Sequence, residues 1–315
     1  MENSLPKPFI SVVMPVYNKE RHVSRSIQSV LDQSFEGFEL IIVCDPSTDS
    51  SSSEVAKFDD ARIRVFHRKE AGPGGYAARN LGVRKAEAEW IAFLDADDIY
   101  VSEHLENSFN IIENNQPDVA IFSYNLMESG NATSRTPPSD LANRFVNRCE
   151  VIKLLKTDGN IHTNTIIIKT NILKKSGGFP SDKGILRGGD VDTWLRVFLR
   201  SNRIWISDRI SSVYFFDESG VISDKKNTLT EPAVYLTLIE ILDSKNRCNI
   251  SENELIAIKK LSNVKIFGLV IGRKLAGEHY FNLINKIQWT STDLSFLLKL
   301  FLAIFLPVYI LKKIV

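Results

Sequence analysis

Four short apolar runs, Phe9 to Val16, Glu39 to Cys44, Arg62 to Phe66 and Trp90 to Leu94, read as buried strands separated by stretches of helical spacing or turn residues. Between the first two, Val23, Ile27, Val30 and Leu31 share one face of a helix over residues 22 to 33. A second helix is expected over Tyr76 to Ala86, ahead of the fourth run. Strands that alternate with helices need crossover connections, so the fold class is α/β with a mostly parallel, doubly wound central sheet flanked by helices. A sheet of that kind gathers its ligand at the carboxyl ends of its strands, here the loops after Val16, Cys44, Phe66 and Leu94.

The fourth run delivers Asp95-Ala96-Asp97-Asp98 to that end. Carboxylates this close repel one another unless a cation is shared, and hard oxygen ligands suit Mg²⁺ or Mn²⁺ carrying a diphosphate. A helix N-cap followed by solvated acids explains the same residues equally well in isolation. After the second run, Asp45-Pro46-Ser47-Thr48-Asp49 offers a carboxylate and hydroxyls to a nucleobase or ribose, or else an Asx or Ser/Thr turn. Gly72-Pro73-Gly74-Gly75-Tyr76-Ala77 formally fits a dinucleotide fingerprint, but it follows a third strand instead of opening the first βα turn. Its glycines permit a sharp entry into a helix, from which Arg79 reaches a phosphate or steadies the acidic loop.

The chain has 315 residues, enough for one large α/β domain and an appendage. Another strand is expected over Val119 to Tyr124, and an exposed loop over Glu128 to Asp140. Then come a strand over Asn164 to Lys169, a helix over Val191 to Leu199, and short strands over Ile204 to Ile206 and Val213 to Phe216. Beyond about residue 225 the pattern is helical, with Pro232 near a helix start. Net charge is +1, but from Lys245 onward 11 Lys and Arg face 4 Asp and Glu, so that tail is +7 and the remainder −6. Leu294 to Leu311 is apolar apart from Ser295 and Lys299, with Lys312 and Lys313 after it. Eighteen helical residues span about 27 Å, short of the ~30 Å hydrocarbon core, and Pro307 bends them. A helix lying in the membrane interface is the favoured expectation, ahead of a C-terminal span and of a buried helix. Anionic lipid attracts Lys259, Lys260, Lys265, Arg273, Lys274 and Lys286; no interleaved aromatic platform favours nucleic acid.

Cys44, Cys149 and Cys248 form neither a CxxC nor an even framework, and no apolar leader precedes Phe9, so a cytoplasmic catalytic part is expected. The five histidines form no HxH or HExxH group, which leaves zinc hydrolysis unsupported, and His162 defaults to a structural role. No GxSxG elbow is present. Tyr76 and Trp194 are candidates to stack on a sugar, with packing as the commoner use.

Taken in order, Val13-Met14-Pro15-Val16-Tyr17-Asn18, Asp45-Pro46-Ser47-Thr48-Asp49, Ala78-Arg79-Asn80-x-Gly82 and Phe93-Leu94-Asp95-Ala96-Asp97-Asp98 resemble glycosyltransferase family 2, over residues 9 to about 223. The resemblance implies a GT-A fold and a nucleotide-diphosphate sugar donor, UDP-sugar favoured, contacted by Pro15, Tyr17, Asn18, Asp45, Ser47, Arg79, Asp95, Ala96 and Asp97. It also implies Mn²⁺ or Mg²⁺ on the Asp95-Ala96-Asp97 motif, with Asp97 the leading ligand and Asp95 towards the ribose or a metal-bound water. Asp98 is left as a cap. The expected layout is a GT-A domain over 1–223, with a nucleotide-sugar half at about 9–125 and an acceptor half at about 145–223. A helical extension over 224–315 would end in a membrane-associating segment, 294–315.

Gly177-Gly178-Phe179-Pro180 and Gly188-Gly189-Asp190-Val191-Asp192-Thr193-Trp194 look like the family's acceptor block. By that match Asp190 is the catalytic base, and Gly188, Gly189, Asp192 and Trp194 line the acceptor side. Without the upstream motifs, Asp190 and Asp192 read as acids at a helix start and Trp194 as core. Cys44 and Pro46 stand where the family usually has Asp and Gly, Gly189 where it has Glu, and Asp217 where it often has a His, which makes Asp217 a third expected metal ligand. The expected activity is inverting transfer to a hydroxyl of a glycan or polyprenyl-linked acceptor, in O-antigen-type surface polysaccharide synthesis. Its expected place is the cytoplasmic face of the membrane, peripheral or C-terminally anchored. A nucleotidyltransferase would need a Gly-rich loop after the first strand; a silent sugar-nucleotide binding protein is the remaining alternative.

Overall fold

The computed structural model describes residues 7–156, 161–181, 185, 188–218, 232–243 and 250–308. The expected boundary at 223/224, and Lys312 and Lys313, lie outside these residues. The four opening strands are β1 (Ile10–Val16), β2 (Phe38–Cys44), β3 (Ile63–His67) and β4 (Trp90–Phe93), with α1 (Val23–Leu31), α2 (Ser51–Val55) and α3 (Tyr76–Lys85) between them. All pair in parallel in the order β3-β2-β1-β4. Then follow β5 (Ile99–Tyr100), α4 (His104–Asn115), β6 (Val119–Glu128), β7 (Asn131–Arg135), β8 (Arg144–Val146) and α5 (Arg148–Leu154). The remainder of the sheet domain is β9 (Ile166–Lys169), α6 (Thr170–Lys175), α7 (Gly189–Phe198) and β10 (Ile204–Phe215).

The sheet is mixed, which corrects the expectation of a mostly parallel one. Strand β9 runs antiparallel between β4 and β6, β10 pairs in parallel with β6, and β5 and β8 pair antiparallel with β10. After α5 a 3₁₀ turn over Thr163–Thr165 leads the chain straight into β9, which enters the sheet antiparallel to both of its neighbours. The two short strands expected at 204–206 and 213–216 are one strand, β10, with register shifts between Ile206 and Ser212. The expected loop from Glu128 to Asp140 is exposed but partly a hairpin: β7 pairs antiparallel with the end of β6.

Alternation along the strands divides the core. From β1 and β4, Ile10, Val12, Met14, Trp90 and Ala92 pack with α1, α2 and α4, whereas Val13, Ile91 and Phe93 pack with α3, α5 and α7. The second face is closed further by α8 (Ala233–Asp243) and α9 (Glu252–Leu275). Beyond the sheet, α10 (Phe281–Ile284) and α11 (Leu294–Phe305) build a separate small core with the end of α9. The tail helix therefore stops before Pro307 after 12 residues, shorter than expected, and no helix among the described residues is long and apolar enough to cross a membrane.

His104, the first residue of α4, is fully buried between the rings of Tyr100 and Phe122, at centroid distances of 4.5 and 5.0 Å. Neither ring nitrogen has a hydrogen-bond partner among the described residues, and burial pushes its pKa down to about 3 from 6.5. The folded state thus refuses a proton that the unfolded chain accepts below pH 6.5. Nothing is lost above that value; as pH falls towards 3, stability drops by about 1.4 kcal/mol per pH unit from this group. Urea midpoints of the wild type and His104→Leu between pH 4 and 7 should diverge in slope, the variant being flatter. Parallel slopes would show that the ring is protonated in the fold.

Candidate functional site

The loops after β1, β2, β3 and β4 meet, and hydrogen bonds lace them together. Asn18 takes a left-handed conformation (φ 52°), its Oδ1 accepts from Thr48 N at 2.8 Å, and its own N–H donates to Ser47 Oγ at 3.1 Å. Lys19 N–H donates to Ser51 Oγ at 2.6 Å. Asp45 is buried, and it accepts from Arg68 at 2.5 Å and from Gly72 N at 3.4 Å. Pro15 sits in β1 beneath Gly75, and Tyr17 stands 47% exposed at the mouth. So Pro15, Tyr17, Asn18, Asp45 and Ser47, expected from separate segments, share one crevice edge.

The acidic loop after β4 is countered by bases from two of those segments. Arg79, buried on α3, donates to Asp95 and to the Gly74 carbonyl, the latter at 3.0 Å. Burial alone would push Asp95 up, but the Arg79 guanidinium outweighs it and holds the carboxyl below its usual range. Ala96 is buried and passes the chain to Asp97, whose Oδ2 accepts from Lys19 Nζ at 2.5 Å. Burial, aided by Asp95, raises the pKa of Asp97 against the pull of Lys19.

Asp98 is no solvated cap. It is fully buried, accepts from Phe215 N at 2.9 Å and Asn164 Nδ2 at 2.6 Å, and is pushed well up by burial and then by Asp97 and Asp95. Asn164 also accepts from Asp95 N at 3.0 Å, so one amide holds the whole turn against the residues before β9. His162, expected to be merely structural, offers a ring nitrogen within 4.8 Å of ligand oxygens of Asp95 and Asp98. Burial keeps this imidazole below its ordinary pKa despite Asp95 and Asp190, hence neutral and able to ligate.

The half-buried Asp95 carboxylate, with the His162 imidazole in reach and the buried Asp97 carboxylate facing Lys19, is a hard donor set that fits Mn²⁺ or Mg²⁺. Asp98 belongs to the geometric cluster, but both its oxygens are engaged below the surface, so it holds the loop, and of the three acids Asp95 is the one with an accessible carboxylate. Lys19 and Arg79 already balance the charges of Asp97 and Asp95. A divalent ion on Asp97 would take the place that Lys19 Nζ fills.

The acceptor block is tied to α3. Asn80 Nδ2 donates to the Phe179 carbonyl at 2.8 Å and its Oδ1 accepts from Phe179 N at 2.8 Å. Gly178 takes φ +65°, and a Cβ there would stand 2.6 Å from Asn80 Oδ1. Removing the amide in Asn80→Ala leaves the Phe179 N–H without its acceptor, while the Phe179 carbonyl keeps the Ser181 N–H at 2.8 Å, with an expected loss of about 1–3 kcal/mol by denaturant titration. A midpoint unchanged from wild type would show that water replaces the amide.

Exposed Gly188, at φ +74°, leads into α7. Gly189 N–H donates to Tyr76 Oη at 3.0 Å, and a Cβ on Gly189 would lie 2.7 Å from Pro180 and 2.8 Å from the Tyr76 ring. The absence of the family's Glu at 189 is therefore a packing requirement of this chain. Half-buried Asp190 follows, close enough that its charge adds to burial in raising the Tyr76 phenol pKa and acts on Arg79 and His162. Asp95 acts on the same three groups.

Two expected acceptor-side residues face elsewhere. Asp192 is buried, accepting from Arg196 Nε at 3.0 Å and Thr237 Oγ1 at 2.5 Å, because α8 covers that side of α7. Trp194 is fully buried, with its ring 5.5 Å from Phe179 and 6.0 Å from Phe93, and Tyr76 lies stacked on Phe179. Neither ring has a free face for a sugar. Asp217, expected as a metal ligand, instead accepts from Ser129 N at 2.6 Å outside the Asp95, Asp98 and His162 group, and it is Glu218 that reaches the bases around the acidic loop. Its carboxylate meets Arg25 at 2.5 Å and His22 at 3.0 Å, its carbonyl accepts from Lys19 Nζ at 3.1 Å, and Arg25 also donates to the Asp97 carbonyl at 2.6 Å. Lys19, Arg25, His162, Asn164 and Glu218 were missed by motif reading. Only the basic spacing of Lys19, His22 and Arg25 on the segment after β1 hinted at them.

The family model described as Glycosyl transferase family 2 matches residues 11–172. A glycosyltransferase of Methanocaldococcus jannaschii, MJ1057, is 33% identical over 202 residues, 62% of this chain and 67% of its own length. The Escherichia coli UDP-Glc:alpha-D-GlcNAc-diphosphoundecaprenol beta-1,3-glucosyltransferase WfgD is 29% identical over 69% of this chain and 80% of its own length. Two rickettsial glycosyltransferases that also match are much longer, and the chain spans 15% and 35% of them. Among solved structures, Staphylococcus aureus TarS 1–349 in complex with UDP-GlcNAc superposes with a TM-score of 0.70 over 90% of this chain and 82% of that one, at 20% identity. That likeness gives the GT-A-like α/β fold with its mixed sheet. With the family match covering β1 to α6 and the acidic loop held at the sheet's carboxyl end, the chain belongs to glycosyltransferase family 2.

Proposed function

We propose that the chain transfers a sugar, with inversion, from a UDP-sugar to a hydroxyl of a lipid-linked glycan in surface polysaccharide synthesis, at the cytoplasmic face of a membrane. The observation that supports this reading is that one helix, α3, holds both sides of the site: Arg79 pairs with Asp95, and Tyr76 Oη accepts at 3.0 Å from the N–H of Gly189, the residue before Asp190. A candidate base that follows Gly189 is in keeping with a donor held on the loop after β4. The acceptor oxygen attacks the anomeric carbon as the bond to the diphosphate breaks; the electron pair leaves with the diphosphate and the hydroxyl proton passes to the Asp190 carboxylate. Arg79 keeps Asp95 ionised and in place. The Tyr76 hydroxyl, accepting from Gly189 N–H, fixes the start of α7 and so the direction of Asp190. A bound Mn²⁺ or Mg²⁺ on Asp97 and Asp95 would supply neutralisation of the departing diphosphate. The donor and diphosphoundecaprenol acceptor in the name of the E. coli relative, and the UDP-GlcNAc complex of TarS, support the substrate classes.

The test is release of nucleotide diphosphate from UDP-Glc, UDP-GlcNAc and GDP-Man with Mn²⁺, without and with a GlcNAc-diphospholipid. A UDP-sugar should turn over slowly alone and faster with the lipid, giving a product of opposite anomeric configuration. Donor binding without turnover under either condition would make the chain a silent binding module; retained configuration would remove Asp190 from the role of base.

A further inference from the structure

Helix α11 is held on the molecule along one side only. Leu300 and Ala303 are buried, Leu300 in a small core with Ile266, Val270 and Leu283, and Phe296 packs at 5.9 Å from Phe267. The ammonium of Lys274 on α9 caps its far end, donating to the carbonyls of Ala303, Ile304 and Leu306 at 2.8, 2.5 and 2.8 Å. The opposite side carries Leu294, Leu297, Leu298, Phe301, Leu302 and Phe305, all exposed. At 100° per residue these six occupy one continuous arc of about 140°. A helix fixed this firmly while showing its larger side chains to solvent is shaped for a partner.

The chemistry of the partner is set by what borders that arc. Ser295 and Lys299 lie along its edge and open into a cavity of about 440 Å³, whose wall also includes Lys156 and Lys260. Among the described residues none of these three lysines has an ion-pair partner, and Lys156 is held below its ordinary pKa by burial and then by Lys260 and Lys153. Asp293, at the rim, is occupied as the cap of α11, accepting from Phe296 N at 2.8 Å. Three ammonium groups against one carboxylate leave the cavity two charges positive.

The geometry points to a docking surface for a bilayer of anionic phospholipid: the cavity takes a phosphate headgroup, and the outer arc of α11 lies among the acyl chains, parallel to the surface. An apolar arc alone suits many occupants, but an apolar arc that runs into unpaired lysines suits an anion carried on a hydrocarbon. The helix lies flat, for its 12 residues reach about 18 Å against a hydrocarbon core of ~30 Å. This extends the membrane placement proposed above and is independent of the transfer chemistry.

The test is co-sedimentation of the full chain with vesicles of phosphatidylcholine alone and with 30% phosphatidylglycerol, with donor turnover and melting temperature read on each variant to establish folding. Wild type should prefer the anionic vesicles, and 0.5 M salt should weaken that preference. The triple variant Lys156→Gln, Lys260→Gln, Lys299→Gln should lose about 10²-fold in partition, roughly fivefold per lysine, and bind both vesicle types alike. Phe301→Asp with Phe305→Asp should bind neither. Equal anionic preference in the triple variant would overturn the cavity's role while leaving membrane placement standing; wild type indifferent to both vesicles would overturn both. A lipid-free dimer that the Phe301→Asp, Phe305→Asp pair dissolves, with vesicle binding unchanged, would assign the arc to a second copy instead.

Discussion

Asp190→Asn lowers transfer about 10²–10⁴-fold, the span that positioned general base catalysis contributes, and leaves donor binding largely intact. The amide matches the carboxylate in shape, so the start of α7 and the Gly189 N–H to Tyr76 Oη bond at 3.0 Å are preserved. It lacks only the capacity to take the acceptor's proton. Single-turnover transfer and calorimetric binding of the UDP-sugar separate the two effects: the first should collapse while the second stays near wild type. Wild-type turnover in this variant would sink the assignment, and parallel loss of binding and transfer would mean that Asp190 helps to build the donor pocket.

Gly189→Glu, which installs the residue usual in the family, should damage both stability and activity. Its Cβ would stand 2.7 Å from Pro180 Cγ and 2.8 and 2.9 Å from two atoms of the Tyr76 ring. Tyr76 cannot yield easily, being stacked on Phe179, which packs on Phe93 and on the fully buried Trp194. Overpacking of this kind costs about 1–3 kcal/mol, and a shift of Asp190 by ~1 Å costs on the order of 10² in rate. Gly189→Ala, with the Cβ alone, should show the same signs at smaller size. Thermal melts and turnover of both variants measure this; an unshifted melting temperature in Gly189→Glu would refute the packing account.

Much of the fold was legible because strands β1 to β4 carry an unmixed apolar signal and end in loops whose polar residues had to meet at one sheet edge. The same logic located Asn18, Asp45, Ser47, Arg79, Asp95 and Asp97 together before any coordinate. Sequence spacing says nothing of strand direction, so the antiparallel insertion of β9 and the union of two short runs in β10 were hidden. Asp98 looked like the most expendable of three neighbouring acids; its partners, Asn164 and Phe215, lie 66 and 117 residues away. Lys19 pairs with Asp97 across 78 residues, and no local pattern marks such a pairing. Asp192 was misplaced because the helix that covers it, α8, begins some forty residues later in the chain, and Trp194 because it packs on Phe93 from a strand about a hundred residues earlier. The roles at a helix surface are settled by what packs on it, and that neighbour is a tertiary fact.

The position of β9 also bears on how the chain is made. Its four residues fill the gap between β4 and β6, Ile167 to Lys169 pairing with β4 and Ile166 to Ile168 with β6. A nascent chain emerging from a ribosome has therefore displayed all of β4 and β6 for some forty residues before the strand that joins them exists. Until then those two strands present unpaired edges lined by Ile91, Phe93, Ile121 and Phe122, all buried in the finished molecule. Between synthesis of β6 and of β9 the facing edges of β4 and β6 are open to wrong partners, and slow translation there would prolong that exposure.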